Sequence, residues 1–118
     1  MRTVVALVAA SEAAMGVLLL AKPAIPVRFL LGAEIAGAGA VMSRFAGACL
    51  VSVGIACWPS ALPDIRPAAR GLVAYSLLAA VVLAIVGIRG GMTGPLLWPA
   101  VVLHAVMAAV LARAWRHP

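Results

Sequence analysis

The sequence predicts an all-α fold, an integral membrane antiparallel bundle of four transmembrane helices with little chain outside the bilayer. Composition is the first reason: 66% of the 118 residues are hydrophobic and 10% are charged, against about 45–50% and about 25% in soluble domains. The second reason is that the apolar residues form four runs, each near the ~20 residues that cross a bilayer. Clusters of Pro, Gly and charged residues separate these runs.

The four runs predict a single transmembrane domain over residues 1–118. Arg28 and Phe29 lie among aliphatic residues between the first two runs, and segment 27–31 is predicted to be a short turn or helix at the membrane surface. Pro99 falls in the first turn of the last run, where its missing N–H costs little. The membrane spans are predicted at 3–20, 35–58, 71–88 and 96–115.

The distribution of basic residues predicts the orientation, because Lys and Arg concentrate on the cytoplasmic side. The side that carries both termini has five basic residues near the spans and the other side has three. We therefore expect a multi-pass protein of the cell inner membrane with both termini in the cytoplasm. The two sets are Arg2, Arg66, Arg70, Arg113 and Arg116, against Lys22, Arg28 and Arg89.

The net charge of +6 suits contact with anionic lipid headgroups, so the lipid bilayer is the first expected partner. Nucleic acid is not expected, because the chain lacks a basic stripe with interleaved aromatic residues. Small residues at helical spacing, such as Ala9 and Ala13 or Ser43 and Gly47, predict close packing between helices in lipid.

Three of the spans contain an ionisable residue well inside the apolar run: Glu12, Arg44 and His104. An isolated charge at the bilayer centre costs about 2.5–3.5 kcal/mol on insertion scales. We therefore expect Glu12 and Arg44 to form a buried ion pair with His104 nearby; the alternatives are that Arg44 extends outward to the membrane surface, that the two groups reach water, or that Glu12 keeps its proton. Tyr75 is the fourth candidate, placed about one turn from the inner end of its span, so the four are not expected at one depth.

Two interpretations of these four residues remain open. In one, they form a structural clasp that fixes the rotation and register of the helices. In the other, they line a cavity that binds a proton, an anion or a small polar ligand. No catalytic residue, cofactor or metal is predicted, because the second histidine, His117, is at the far end of the chain and no nucleophile motif is present.

The chain resembles a group of small, uncharacterised bacterial four-helix membrane proteins. These are similar in having Glu in the first helix, Arg-x-x-Gly in the second, Tyr in the third and a WPAxxLH run in the fourth. Here the matching positions are Glu12, Arg44–Gly47, Tyr75 and Trp98–His104. The pattern of that group has Asn after the Tyr, where this chain has Ser76. The resemblance implies that the four polar residues belong together, and it implies no activity.

A looser resemblance links the segment Ser11–Gly16 and Lys22 to the small multidrug resistance transporters. That family uses a membrane-embedded Glu of its first helix to exchange protons for cationic drugs. The aromatic-rich later helices of the family are absent here, and Arg44 disfavours a cationic substrate.

The expected function is therefore that of a small membrane protein, not an enzyme. We expect an accessory subunit, or a bundle that binds a small ligand or a proton through Glu12, Arg44 and His104. The alternative is a proton-coupled small-molecule transporter that acts as a homodimer. The protein partners considered are a second copy of the chain and a larger membrane complex.

Overall fold

The computed structural model describes residues 1–117, which contain five α-helices and one short 3-10 helix. Four of the α-helices are long and apolar enough to cross a membrane. The predicted all-α membrane bundle is confirmed. The α-helices are α1 (Arg2–Ala21), α2 (Ala24–Leu31), α3 (Ala38–Ala56), α4 (Arg66–Arg89) and α5 (Leu97–Arg116), and the 3-10 helix is Pro59–Ala61.

Two helices begin several residues away from the predicted position, and in each case a Pro or Gly residue at the helix start explains the difference. α4 begins at Arg66 instead of residue 71, because Pro67 occupies the first turn, where no N–H is needed. α3 begins later than predicted, since Gly37 has φ 54 and ψ −127, which is not helical. The predicted interfacial segment is the helix α2, which ends at Gly32 in the left-handed conformation.

α1 and α3 pack against each other along their length through backbone contacts that only small residues permit. A Cβ atom added to Gly47 would lie 2.6 Å from the carbonyl oxygen of Gly16. One added to Gly54 would lie 2.7 Å from the carbonyl oxygen of Ala9. The predicted small-residue packing therefore holds for α1 and α3, and Gly16 lies against the α3 backbone and the Val51 side chain.

α4 and α5 form the second closely packed pair. The turn between them contains Gly90 and Gly91, whose φ angles of 73 and 87 favour glycine. Near this turn, Gly87 faces the Trp98 ring, which a Cβ atom at Gly87 would meet at 2.6 Å. The bundle is thus two helix pairs, α1 with α3 and α4 with α5.

The two pairs meet mainly at the end of the bundle that carries the chain termini. A cluster of buried aliphatic residues fills this end. Arg2 strengthens it, because its guanidinium donates to the carbonyl oxygens of Pro59 at 2.7 Å and of Leu62 and Pro63 at 3.1 Å. The cluster comprises Val5, Val8, Ile65, Ala68, Ala69, Leu72, Val73, Leu111 and Ala114.

At the opposite end, α2 lies across the bundle and is fixed to the α4–α5 connection. Gly94 N–H donates to the Leu30 carbonyl at 2.9 Å, and Leu96 N–H donates to the Phe29 carbonyl at 2.9 Å. The backbone at Gly94 passes against the Phe29 carbonyl so closely that no side chain fits there. α2 therefore spans the gap between the two helix pairs at this end.

Asp64 lies at the end of the bundle that carries the termini, in the connection just before α4. The Arg66 backbone N–H and its guanidinium both donate to the Asp64 carboxylate, at 3.0 and 3.1 Å. These bonds hold the pKa of Asp64 below its ordinary value. Because the pair is exposed to water, it contributes little to the stability of the bundle.

A Gly47→Ala substitution tests the backbone contact between α1 and α3. The added Cβ would lie 2.6 Å from the Gly16 carbonyl oxygen, so the helices must move apart. We expect a loss of about 1–3 kcal/mol, measured as a lower thermal unfolding midpoint in detergent. Gly71→Ala is the matched control, because a Cβ there meets nothing within 4 Å; it should leave stability unchanged or raise it by up to ~1 kcal/mol. Equal effects of the two changes would contradict the contact.

Candidate functional site

A cavity of about 430 Å³ separates the two helix pairs above the buried aliphatic cluster. All five α-helices contribute to its wall. Most of the wall is aliphatic, and α2 closes the end opposite the termini. The aliphatic wall includes Leu19, Val27, Leu30, Leu50, Leu83 and Leu103.

The polar residues of the cavity lie together at its floor, one helical turn from Val8 and Leu72 of the buried cluster. They are Glu12 on α1, Tyr75 on α4 and His104 on α5, and we refer to these three as the polar cluster. Three different helices supply them, so their meeting depends on how the two pairs dock. Three of the four predicted site residues are thus brought together.

Glu12 is the most buried member of the polar cluster, with 4% of its surface exposed. The Tyr75 hydroxyl lies beside its carboxyl group, in a position to donate a hydrogen bond. Each carboxylate oxygen accepts more than one hydrogen bond. Tyr75 therefore satisfies only part of the accepting capacity of Glu12.

His104 contacts Tyr75 edge to face, with 5.8 Å between the ring centroids and 87° between the ring planes. This geometry is favourable for aromatic rings. The Nδ1 atom of His104 is buried, and no residue of the described chain hydrogen-bonds to it. A buried polar atom without a partner is destabilising, so His104 is held in place by packing while one nitrogen is left unsatisfied.

The three members of the polar cluster lie at similar depth, unlike the staggered arrangement that the predicted spans implied. At about 1.5 Å per residue, Glu12 is about 15 Å from the start of α1 and Tyr75 about 14 Å from the start of α4. His104 is about 18 Å from the end of α5 by the same rise. The prediction placed Tyr75 too near the surface because α4 begins at Arg66.

The expected ion pair between Glu12 and Arg44 is wrong. Arg44 is exposed, and its Nε donates to the Leu20 carbonyl oxygen at 3.2 Å. That carbonyl belongs to the last turn of α1, where four carbonyl groups lack helical partners and the helix dipole favours a cation. The side chain therefore extends toward the membrane surface and supports the end of α1, and it does not line the cavity.

Two serines adjoin the polar cluster, although the sequence did not single them out. Ser11 lines the cavity floor, and its hydroxyl donates to the Val8 carbonyl oxygen at 2.8 Å. Ser76 is fully buried, and within the described chain its hydroxyl has no hydrogen-bond partner. The only sequence signal was their position directly beside Glu12 and Tyr75.

The side chains of this cavity can contact a ligand through hydrogen bonds and apolar packing. Among residues 1–117, no group of three His, Cys, Asp or Glu side chains is placed to hold a metal ion. The polar cluster offers a carboxyl group, a phenol and an imidazole at the end of an aliphatic chamber. Such a combination suits a molecule with a small polar head and an apolar body.

No protein-family model, no curated protein and no solved structure matches this chain. The two family resemblances drawn from the sequence therefore stay predictions. The geometry of the cavity and the polar cluster supports the function proposed below.

A double-mutant comparison tests the contact between Glu12 and Tyr75. Tyr75→Phe removes the hydroxyl and should lower stability by about 0.6–1.7 kcal/mol, the range of hydrogen bonds between membrane helices. In a Glu12→Met background the same change should have almost no effect, because the acceptor is already gone. Thermal unfolding in detergent measures both steps.

The control for this comparison is Arg44→Gln, which should have the same effect with Glu12 as with Met at that position. Arg44 bonds to the Leu20 carbonyl and not to Glu12, so the two changes are independent. Coupling between positions 12 and 44, or additivity between positions 12 and 75, would contradict the arrangement.

Proposed function

We propose that this protein binds a small amphiphile from the lipid bilayer in the cavity between its two helix pairs. The observation that carries the proposal is the polar cluster of Glu12, Tyr75 and His104 at the floor of an aliphatic cavity of about 430 Å³. The head of the ligand contacts the polar cluster, and its apolar body lies along the aliphatic wall toward α2.

The size of the cavity supports a ligand of moderate length. Ligand pockets commonly enclose about 300–1,000 Å³, and this cavity lies within that range. A liquid water molecule occupies ~30 Å³. At that volume per heavy atom, the cavity holds on the order of a dozen heavy atoms of a ligand. A ten-carbon chain with a small head group has the right size.

The openings of the cavity favour access from the membrane interior. Val82 of α4 and Leu103 of α5 line the cavity and are also 58% and 57% exposed on the outside of the bundle. α3 makes little contact with α4, so the two helix pairs stand apart on that side. A lipid-soluble molecule reaches such a cavity without crossing the polar surface.

The energetics of Glu12 favour a ligand over a purely structural role. A structural clasp would satisfy its polar groups internally, since partly satisfied buried polar groups are costly. Here Arg44 is elsewhere, Tyr75 satisfies only part of Glu12, and the Nδ1 atom of His104 has no partner in the described chain. A bound head group supplies the hydrogen bonds that Tyr75 leaves unmade at Glu12.

The site of action that we propose is the inner membrane of a bacterium, with both chain termini in the cytoplasm. The end of the bundle with the termini carries five basic residues, and the opposite end carries Lys22, Arg28 and Arg89, with Arg44 directed toward the same end. Trp58 and Trp115 are exposed at the first end and Trp98 at the second, as in the aromatic belts of membrane proteins.

Filling the cavity should abolish binding. Ala79 lines the cavity on α4, so Ala79→Phe places a ring inside it. We expect 1-decanol to shift the ¹³C-methyl NMR signals of Met15 and Met107, which line the cavity, in the unchanged protein in nanodiscs and not in the variant.

The matched control is Ala74→Phe on the same helix, at an exposed position outside the cavity. This variant should keep the ligand-dependent shifts of Met15 and Met107. Met42 is 62% exposed on α3 and reports only on decanol dissolved in the bilayer, so its signal should respond equally in all three proteins. Unchanged shifts at Met107 in the Ala79→Phe variant would refute the proposed cavity.

A further inference from the structure

We propose that the cavity selects amphiphiles by head group, and that it accepts a hydrogen-bond donor, an amine or a hydroxyl, over a carboxylate or a phosphate. The inference rests on the proposed function, because it concerns the ligand of the same cavity. It follows from the charge at the cavity floor and from the direction of the hydrogen bonds there.

The ionisable residues of the described chain that line the cavity include an acid and no Lys or Arg. Glu12 is the one acidic residue among the described residues that line the cavity. Arg44, which the sequence predicted as the partner of Glu12, donates to the Leu20 carbonyl at the end of α1 instead. An anionic head group would therefore be buried beside a carboxyl group and without a compensating cation, which is costly.

The two hydroxyl donors at the floor face acceptors of the protein. The Ser11 hydroxyl donates its proton to the Val8 carbonyl oxygen at 2.8 Å. The Tyr75 hydroxyl is placed to donate to the Glu12 carboxyl. A hydroxyl group has a single proton to donate, so Ser11 retains none for a ligand, and Tyr75 retains none while it donates to Glu12.

The acceptors at the floor remain available. The Glu12 carboxylate has further lone pairs beside the one that faces Tyr75. Ser11 Oγ keeps its lone pairs, whereas His104 Nδ1 is buried, so only Nε2 of that ring can face a ligand. A neutral imidazole accepts at one nitrogen and donates at the other. The floor thus offers several acceptors against at most one free donor.

Head groups differ in how they satisfy such a floor. An amine or ammonium group donates two or three hydrogen bonds, and a hydroxyl donates one and accepts at its oxygen. A carboxylate or an ester carbonyl only accepts, which leaves the acceptors of the floor unsatisfied on burial, at a cost. The aliphatic wall contributes almost equally to ligands whose unbranched tails differ by no more than one carbon, which is worth about 0.8 kcal/mol.

The experiment compares four ligands that are built on an unbranched ten-carbon chain and differ at the head: decylamine, 1-decanol, methyl decanoate and decanoate. The protein is held in nanodiscs, and the ¹³C-methyl signals of Met15 and Met107 report binding at equal membrane concentration of each ligand. We expect the stronger of decylamine and 1-decanol to bind on the order of tenfold more tightly than decanoate and methyl decanoate. Whichever of decylamine and 1-decanol binds more tightly identifies the preferred head group as an amine or a hydroxyl.

Glu12→Gln adds a second measurement, because it removes the carboxylate and introduces an amide that donates. In this variant we expect the preference for the two donor ligands over decanoate to fall on the order of tenfold. 1-Decanol should still shift the methyl signal of Met107. Should this variant fail to fold, the series with the unchanged protein decides the question alone.

The outcomes separate the two proposals. Decanoate or methyl decanoate binding as tightly as both donors would overturn the inference, because the floor would then be presenting protons to the ligand; the proposed function would stand. If no ligand of the series shifted Met15 or Met107 relative to Met42, the proposed function would fail and the inference with it. Retained head-group selectivity in the Ala79→Phe variant would place the binding site outside the cavity.

Discussion

The backbone contact between α1 and α3 constrains the positions of the other helices. Gly16 and Gly47 approach so closely that each carbonyl oxygen occupies the space of the other residue's missing side chain. In lipid, where apolar burial between helices brings little gain, such van der Waals contact is a main source of association. One face of α1 packs against α3, so α4 and α5 can contact only the adjoining face of α1. That face carries Val5, Val8 and Glu12.

The cavity follows from this division into two pairs. Each pair is tightly packed, but the pairs share one aliphatic cluster at the end with the termini. Above that cluster they separate, and α2 bridges the gap through backbone bonds from Gly94 and Leu96. A uniformly packed bundle would have left no room beside Glu12. The polar cluster lies where packing stops and the cavity begins.

Arg44 forms a hydrogen bond at the end of α1 in place of the ion pair with Glu12 that the sequence predicted. Its guanidinium has a nearer acceptor in the Leu20 carbonyl, which lacks a helical partner at the end of α1. This contact brings the charge toward water and strengthens a helix end, whereas a pair with Glu12 would require desolvating both groups. The consequence for function is large, because the cavity keeps an acidic group without a cation beside it.

The sequence by itself determined the fold class, the number of membrane spans and three of the residues that meet. The reason is that lipid penalises polar groups one residue at a time, so Glu12 and His104 are conspicuous in any apolar run. The tertiary structure decided that Tyr75 reaches the same depth, that Arg44 turns away, and that α2 closes a cavity. These depend on where Pro67 allows α4 to begin and on how closely glycines let helices approach, and neither is a property of a single residue's hydropathy.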